Sequence, residues 1–129
     1  MKDKRELEKI SKEVRRGIIE EVYRAESGHP GGSLSIADIL TVLYFNVLNI
    51  DPTNSKWEDR DRFVLSKGHC SPALYSILAN RGYFDKELLK TFRNLESNLQ
   101  GHPDMNKVPG VDMTTGSLGQ GLSVANGMA

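Results

Sequence analysis

The sequence predicts a helix-rich α/β protein whose ligand site lies where extended segments turn into helices. Apolar residues recur at steps of three and four over 3–26 and again over 36–48, a spacing typical of helices. An extended apolar segment at 62–66 is followed at once by a turn and a helix start, as at the ligand-binding edge of open α/β sheets. A glycine-rich turn at 114–121 precedes a further helical stretch, and this arrangement suits an anion.

Composition excludes several classes of protein. The 129 residues carry 17 basic and 17 acidic side chains, so no positive surplus indicates a nucleic-acid or membrane-surface partner. No apolar run approaches the roughly twenty residues of a membrane span. The charged N-terminus lacks an apolar signal core, and Cys70, the only cysteine, cannot form an internal disulfide. We therefore expect a cytoplasmic protein that binds neither nucleic acid nor membrane.

The first predicted helix covers residues 3–26. One face carries its apolar side chains, which are Leu7, Ile10, Val14, Ile18 and Val22. Asp3 and Glu6 match a capping box at the start, and Gly28 shortly before Pro30 favours an end there. The pattern indicates an ordinary amphipathic surface helix.

A histidine occupies the stiffened loop that follows. Pro30 fixes its own φ angle and pushes His29 toward an extended conformation, while Gly31 and Gly32 would permit a sharp turn. The pattern leaves a solvated loop histidine and a functional one about equally open.

The second predicted helix runs from Ile36 to about Leu48. Ser35 and Asp38 form a possible capping signature before it. Because the helix is apolar on nearly every side, it requires more cover than 129 residues easily supply. We expect further chain, a partner subunit, or both to cover it.

A short strand is predicted at Arg62–Ser66, followed by a turn that contains His69. Ser71 and Pro72 suit the N-cap and first position of a helix that ends near Gly82. His69 therefore lies at a strand-to-helix junction. A shorter helix is predicted over 85–92.

Residues 94–113 show no periodicity, which indicates either a functional loop or disorder. Gly101 and Pro103 flank His102 there, much as glycine and proline flank His29. The dipeptide Gly-His therefore occurs three times, but the flanking sequences differ too much for these segments to be an internal repeat.

The turn with glycines at 116, 119 and 121 predicts a diphosphate site at the start of a helix. Alone, this glycine pattern is more often a flexible turn or a close packing contact. The three histidines elsewhere in the chain strengthen the prediction of a diphosphate site. A zinc site built from histidine and Cys70 stays possible, but no two ligands have the usual close spacing. No nucleophile elbow and no Walker A loop is present.

Four motifs together resemble the start of transketolases: the segments 27–32, 61–69, 101–103 and 114–121, in that order. The resemblance covers residues from about Val14 to Ala129 and is strongest to the separately encoded N-terminal subunits. It implies that 1–129 are the N-terminal piece of a thiamine-diphosphate-binding domain, with a parallel sheet and helices on both faces, incomplete at its C-terminus.

The resemblance also implies an activity and residue roles. Transketolases move a two-carbon ketol unit from a ketose phosphate to an aldose phosphate with thiamine diphosphate and Mg²⁺. His29 and His69 would contact substrate oxygens and assist proton transfer, His69 also lying near the diphosphate, and His102 would hold the ketol hydroxyl. The cofactor-binding turn is Gly116, Ser117 and Leu118: Gly116 would donate a backbone N–H, Leu118 would pack on the aminopyrimidine, and Ser117 replaces a frequent proline.

No metal ligand is expected within these residues. The family's Gly-Asp-Gly motif, which holds magnesium, is absent from the sequence. We therefore expect a C-terminal transketolase subunit or domain as partner, a homo-oligomeric assembly and sugar-phosphate substrates. The alternative is a non-catalytic remnant of the domain or, less favoured, the histidine and cysteine metal site.

Overall fold

The structure, a computed structural model, describes all residues 1–129. It contains four α-helices, α1 (Lys4–Ala25), α2 (Pro30–Val42), α3 (Ser71–Arg81) and α4 (Gln120–Met128). A π-helical turn, Leu43–Val47, prolongs α2, and 3₁₀ turns cover Gly68–Cys70 and Lys86–Thr91. The helices α1, α2 and α3 pack on one another around a single apolar core. None of the helices combines the length and apolar character that a membrane crossing requires.

The prediction for α1 is confirmed, including its cap. The Asp3 carboxylate accepts from the Glu6 N–H at 2.9 Å, and the Glu6 carboxylate accepts from the Asp3 N–H at 2.9 Å. These reciprocal bonds satisfy two of the N–H groups that every helix start leaves free. Val14 and Ile18 on the apolar face are completely buried.

The predicted start of α2 at Ile36 is wrong, because the helix begins at Pro30. Proline suits this first position, where its missing N–H costs no hydrogen bond and its φ angle is already helical. The two glycines that follow therefore lie inside the helix and form no sharp turn. Ser35 does not cap the helix; its hydroxyl donates to the carbonyl of Gly32. The Asp38 carboxylate instead accepts two hydrogen bonds from the Arg15 guanidinium on α1.

The helix α2 and its π-helical extension are only partly covered. Leu40 and Tyr44 are buried against the other helices, whereas Ile39 and Val47 are 58% and 61% exposed. The chain therefore leaves part of the apolar surface of this helix open, as the sequence pattern indicates.

The predicted strand at Arg62–Ser66 is not formed, and no β-strand is present in the chain. A strand requires a neighbour for its ladder, and this segment forms no ladder with another part of the chain. The Phe63 N–H donates instead to the Asp112 carboxylate at 2.9 Å. Asp112 also forms a largely buried ion pair with Arg60, in which a guanidinium nitrogen lies 2.6 Å from a carboxylate oxygen. The segment is therefore fixed by side chains, and the parallel sheet of the predicted fold is not seen.

The helix α3 is the centre of the molecule. Every residue from Ser71 to Ala79 is buried. Its end at Gly82 is confirmed, and this glycine adopts a left-handed conformation with φ 99°. Gly17 of α1 leaves room for the close approach of Ser76, whose hydroxyl donates to the Val14 carbonyl at 2.9 Å.

The two remaining segments are irregular. The helix predicted over 85–92 is a 3₁₀ turn, and the Asp85 side chain accepts from the Glu87 N–H at its start. Residues 94–113 contain turns and bends but no helix or strand, which confirms the lack of periodicity.

Glu21 of α1 is an ionisable residue that lies in the core. Its side chain is completely buried, and neither carboxylate oxygen has a hydrogen-bond partner. Burial, and then the charge of Glu20, raise the pKa of Glu21 well above its ordinary value. The folded protein therefore favours the protonated acid, and stability is lost as the pH rises above 4.5, the ordinary glutamate value, toward the raised pKa.

Replacing Glu21 by methionine is expected to stabilise the protein at neutral pH by about 1–3 kcal/mol, because a buried, unpaired polar group is removed at similar volume. The gain should shrink in acid, where the wild-type carboxyl is already protonated. Urea unfolding at pH 4 and pH 7 measures both effects. Glu8→Gln, at the exposed surface of the same helix, is the control and should show no such pH-dependent gain.

Candidate functional site

His29 lies at the junction of α1 and α2. It is the N-cap residue of α2, with φ −121° and ψ 81°, a conformation that accords with the following Pro30. Its carbonyl accepts a hydrogen bond from the Ser33 hydroxyl at 2.8 Å. The imidazole is exposed and meets the ring of His69 edge to face, with centroids 4.9 Å apart. Two histidines forty residues apart in sequence are therefore in contact.

His69 lies in the 3₁₀ turn that leads into α3. Gly68 before it packs so closely on the backbone of Thr115 that a Cβ would lie 2.5 Å from the Thr115 carbonyl oxygen. On the other side, a Cβ on Gly32 would lie 2.5 Å from the Cys70 sulfur. Only glycine permits both approaches. They join the turn of His69 to the start of α2 and to the segment before α4.

The electrostatic surroundings of His69 favour its neutral form. Partial burial lowers the pKa of His69, and the nearby His29, Lys67 and His102 lower it further. A neutral imidazole accepts a proton from a reacting group, whereas an imidazolium does not. His69 therefore has the protonation state of a general base at neutral pH.

The loop that carries His102 is fixed by α3. The Tyr75 hydroxyl lies 2.7 Å from the Gln100 carbonyl oxygen and 3.3 Å from the His102 carbonyl oxygen. The Ser71 hydroxyl, one turn earlier, donates to the Gly101 carbonyl at 2.9 Å. Three consecutive carbonyls are thus held by two side chains of one helix face. These bonds fix the backbone of the His102 loop, although His102 itself is exposed.

The glycine-rich turn lies beside His102. Gly119 adopts a left-handed conformation, φ 82°, immediately before α4, and its N–H donates to the Ser66 carbonyl. A Cβ on Gly116 would lie 3.5 Å from the His102 ring. The N–H groups of Gly116, Ser117 and Leu118 donate to no acceptor within the chain. The turn therefore presents free donors next to a histidine.

Two hydroxyl groups beside this turn also lack partners. The oxygens Ser66 Oγ and Thr115 Oγ1 are hidden from solvent and make no hydrogen bond. A Cβ on Gly121 would lie 3.0 Å from Ser66 Oγ, so that glycine keeps the turn close to the hydroxyl. Free N–H groups, unpaired hydroxyls and the positive end of α4 together fit the oxygen atoms of a diphosphate. This donor set agrees with the cofactor that the sequence predicts.

The structure brings the predicted site residues together at one face. His29 contacts His69, His102 is near enough to lower the pKa of His69, and Gly116 lies against His102. Ser117 and Leu118 are exposed on the glycine-rich turn, Leu118 to 67%. No group of three or more histidine, cysteine, aspartate or glutamate residues could hold a metal ion, so the zinc alternative gains no support.

Sequence reasoning missed the contacts that fix the site; Ser71, predicted as an N-cap, is instead the first residue of α3, and its hydroxyl bonds to the His102 loop. Lys67, Ser71 and Tyr75 bond to backbone carbonyls that are distant in sequence, and no local pattern reveals such contacts. A cavity of about 540 Å³ between the turn at 86–91 and the 94–109 loop contains none of the three histidines.

Comparison with known proteins identifies related chains. A family model described as the thiamine diphosphate binding domain of transketolase matches residues 7–129. The chain is 53% identical over 116 residues to the 6-deoxy-6-sulfo-D-fructose transketolase subunit of Clostridium sp. (strain MSTE9), covering 90% of this chain and 42% of that one. It is 46% identical over 123 residues to an apulose-4-phosphate transketolase subunit of Phocaeicola vulgatus, covering 95% and 43%.

The structure is also similar to that of transketolase from Leishmania mexicana, with a TM-score of 0.90 and 38% sequence identity. That match covers 94% of this chain and 18% of the other. The chain thus spans less than half the length of each of these relatives.

Tyr75→Phe is expected to loosen the His102 loop. Burial, and then the Glu21 and Asp104 carboxylates, raise the pKa of Tyr75, so its hydroxyl stays a hydrogen-bond donor. Losing this donor should cost about 1–2 kcal/mol of unfolding free energy and shift the amide signals of Gly101 and His102 in NMR spectra.

The hydroxyl of Tyr83 makes no hydrogen bond, so Tyr83→Phe is the matched control. Equal effects of the two tyrosine variants on stability and on the loop signals would contradict this role for Tyr75.

Proposed function

The chain belongs to the thiamine diphosphate binding domain family of transketolases, and on that premise we propose that the complete protein is a transketolase. It would transfer a two-carbon ketol unit from a ketose phosphate to an aldose phosphate. The observation that carries this proposal is the meeting of three histidines with a glycine-rich turn whose backbone donors are free.

The glycine-rich turn would hold the cofactor. The N–H groups at 116–118 and the unpaired hydroxyls of Ser66 and Thr115 are donors suited to the diphosphate oxygens. Leu118, exposed beside them, would pack on the aminopyrimidine ring. When bound, thiamine diphosphate supplies the nucleophilic carbon and the electron sink for breaking and forming carbon–carbon bonds.

The three histidines would act on the sugar. His69, held neutral, is suited to accept a proton from a substrate hydroxyl. His29 touches His69 and is exposed toward the same side, so it can bond a neighbouring substrate oxygen. His102, whose backbone is fixed by α3, can donate to the ketol hydroxyl without reorganisation of its loop. Both the ketose and the acceptor would thus bind to histidines whose positions are already fixed by the chain.

Further parts of the complete enzyme would lie outside these residues. Magnesium needs carboxylate and carbonyl ligands, and the Gly-Asp-Gly motif that the resemblance associates with it does not occur in 1–129. We expect those ligands in other residues of the complete protein and the remaining catalytic groups in a C-terminal transketolase subunit or domain. Two of the related chains are themselves named as subunits. A homo-oligomer in the cytoplasm completes the proposal.

Gly116→Val in the complete enzyme should weaken the binding of thiamine diphosphate. The space beside this glycine accepts a Cβ at ordinary contact distance from His102, so the chain itself should tolerate the change. The branched side chain would instead obstruct a ligand approaching the backbone N–H. A cofactor titration followed by calorimetry should show at least tenfold weaker binding, with partial recovery of activity at saturation.

Gly127→Val is the control, since nothing lies near that glycine in α4. Unchanged cofactor affinity in Gly116→Val would show that the turn is not the diphosphate site.

His102→Ala should act on the ketose and leave cofactor affinity nearly unchanged. A hydrogen bond to developing charge contributes about 2–4 kcal/mol in comparable sites, roughly a hundredfold or more in rate. The loss should appear in kcat/KM for the ketose phosphate. If the variant bound cofactor poorly and kept normal ketose kinetics, the assignment of His102 to the substrate would be wrong.

A further inference from the structure

Lys67 connects the two segments that carry the contacting histidines. Its ammonium donates to the Gly32 carbonyl at 2.7 Å and to the Ser35 hydroxyl at 3.2 Å. Both acceptors lie in the first two turns of α2, the helix that His29 begins. Lys67 itself precedes His69 by two residues. Its side chain therefore crosses from the turn of one histidine to the helix start of the other.

Gly32 places Lys67 and His69 at the same spot. A Cβ on Gly32 would lie 3.8 Å from Lys67 Nζ and 3.9 Å from His69 Nε2. The ammonium and the imidazole thus meet the same stretch of α2 backbone, side by side. A change in the hydrogen bonds of Lys67 would therefore alter the immediate surroundings of the His69 ring.

The position is electrostatically poor for a cation. The N-terminal end of a helix is positive, and positive side chains are disfavoured there. No carboxylate lies within 4.0 Å of the Lys67 ammonium to offset this, as its absence from the ion pairs of the chain shows. Neither an ion pair nor the helix dipole therefore favours this ammonium, and its two hydrogen bonds are what hold it in place.

The groups that face His69 are all neutral or positive. They are His29 from the start of α2, Lys67 from the same turn and His102 from the loop held by α3. The Cys70 thiol next to it is buried, and burial raises its pKa, so that group is neutral as well. Lys67 is the one lysine of this set, and its ammonium is among the groups that lower the pKa of His69.

We propose that Lys67 is a positioning residue for the histidine pair. Its bonds to Gly32 and Ser35 hold the His69 turn against the start of α2, and its charge disfavours a proton on His69. The proposal rests on the proposed function in one respect: there, the neutral His69 receives a proton from the substrate.

The test uses the three histidines of the chain as NMR probes, since so few ring signals can all be resolved. Lys67→Met removes the charge and the donor, Lys67→Gln keeps an amide donor without the charge, and Lys67→Arg keeps both. Lys12→Met, on the exposed face of α1, removes the same charge at a distance and is the control.

In Lys67→Met the pKa of His69 should rise toward that of a free imidazole, and the ring-to-ring contact between His29 and His69 should weaken. In Lys67→Gln the pKa should rise while the contact is better preserved, and Lys67→Arg should restore both. If neither Lys67→Met nor Lys67→Gln changes the titration of His69, or if Lys12→Met changes it equally, the proposal is overturned. Should Lys67→Met fail to fold, the glutamine and arginine variants decide the matter.

The complete enzyme provides a separate measurement. Lys67→Met should move the acid limb of its kcat/KM profile to higher pH, because a more basic His69 keeps its proton longer as the pH rises. An acid limb that stays in place overturns the proposal. The NMR measurements need neither cofactor nor substrate, so absence of transketolase activity would reject the proposed function while leaving them valid.

Discussion

The site depends on the close approach of two backbone segments, at Gly68 and Thr115. A side chain on Gly68 would collide with the Thr115 carbonyl, so the contact exists only because that residue is glycine. Immediately beside it, the N–H of Gly119 donates to the Ser66 carbonyl and joins the same segments a second time. This crossing brings the turn of His69 to the turn of Gly116 although no sheet is present in these residues.

The helices show where local sequence determines structure. α1 is predictable because its apolar stripe and its capping box lie in or directly before its own residues. The start of α2 is not, since Pro-Gly-Gly is typical of a turn, whereas in the structure Pro30 takes the first helical position and Gly32 packs against Cys70. The extended segment near Phe63 carries a strand pattern, but its partner is the side chain of Asp112. Strand formation depends on a neighbour that no local pattern contains.

The residues of the site likewise divide into those that the sequence indicates and those that only the structure reveals. The three histidines stand out because each follows a glycine, and the resemblance to transketolases assigns them a common place. Their mutual arrangement depends on Lys67, Ser71 and Tyr75, whose partners are backbone carbonyls 30 or so residues away in the chain. The role of Tyr75 was also not evident from the sequence pattern. A helix buried on all sides has no polar face, so nothing in its periodicity distinguishes a packing residue from one that holds a loop.

The burial of α3 on every side limits how this chain can vary. Its first residues follow the turn of His69, its flank holds the loop of His102, and Ser76 meets α1 where only glycine fits. An enlarged side chain on this helix has no free surface to turn toward, so it must move at least one of these three neighbours. Changes that adapt the protein to new substrates would therefore accumulate in the loops and outer helices. The central helix would stay almost constant, as a fixed reference for the distances between the histidines.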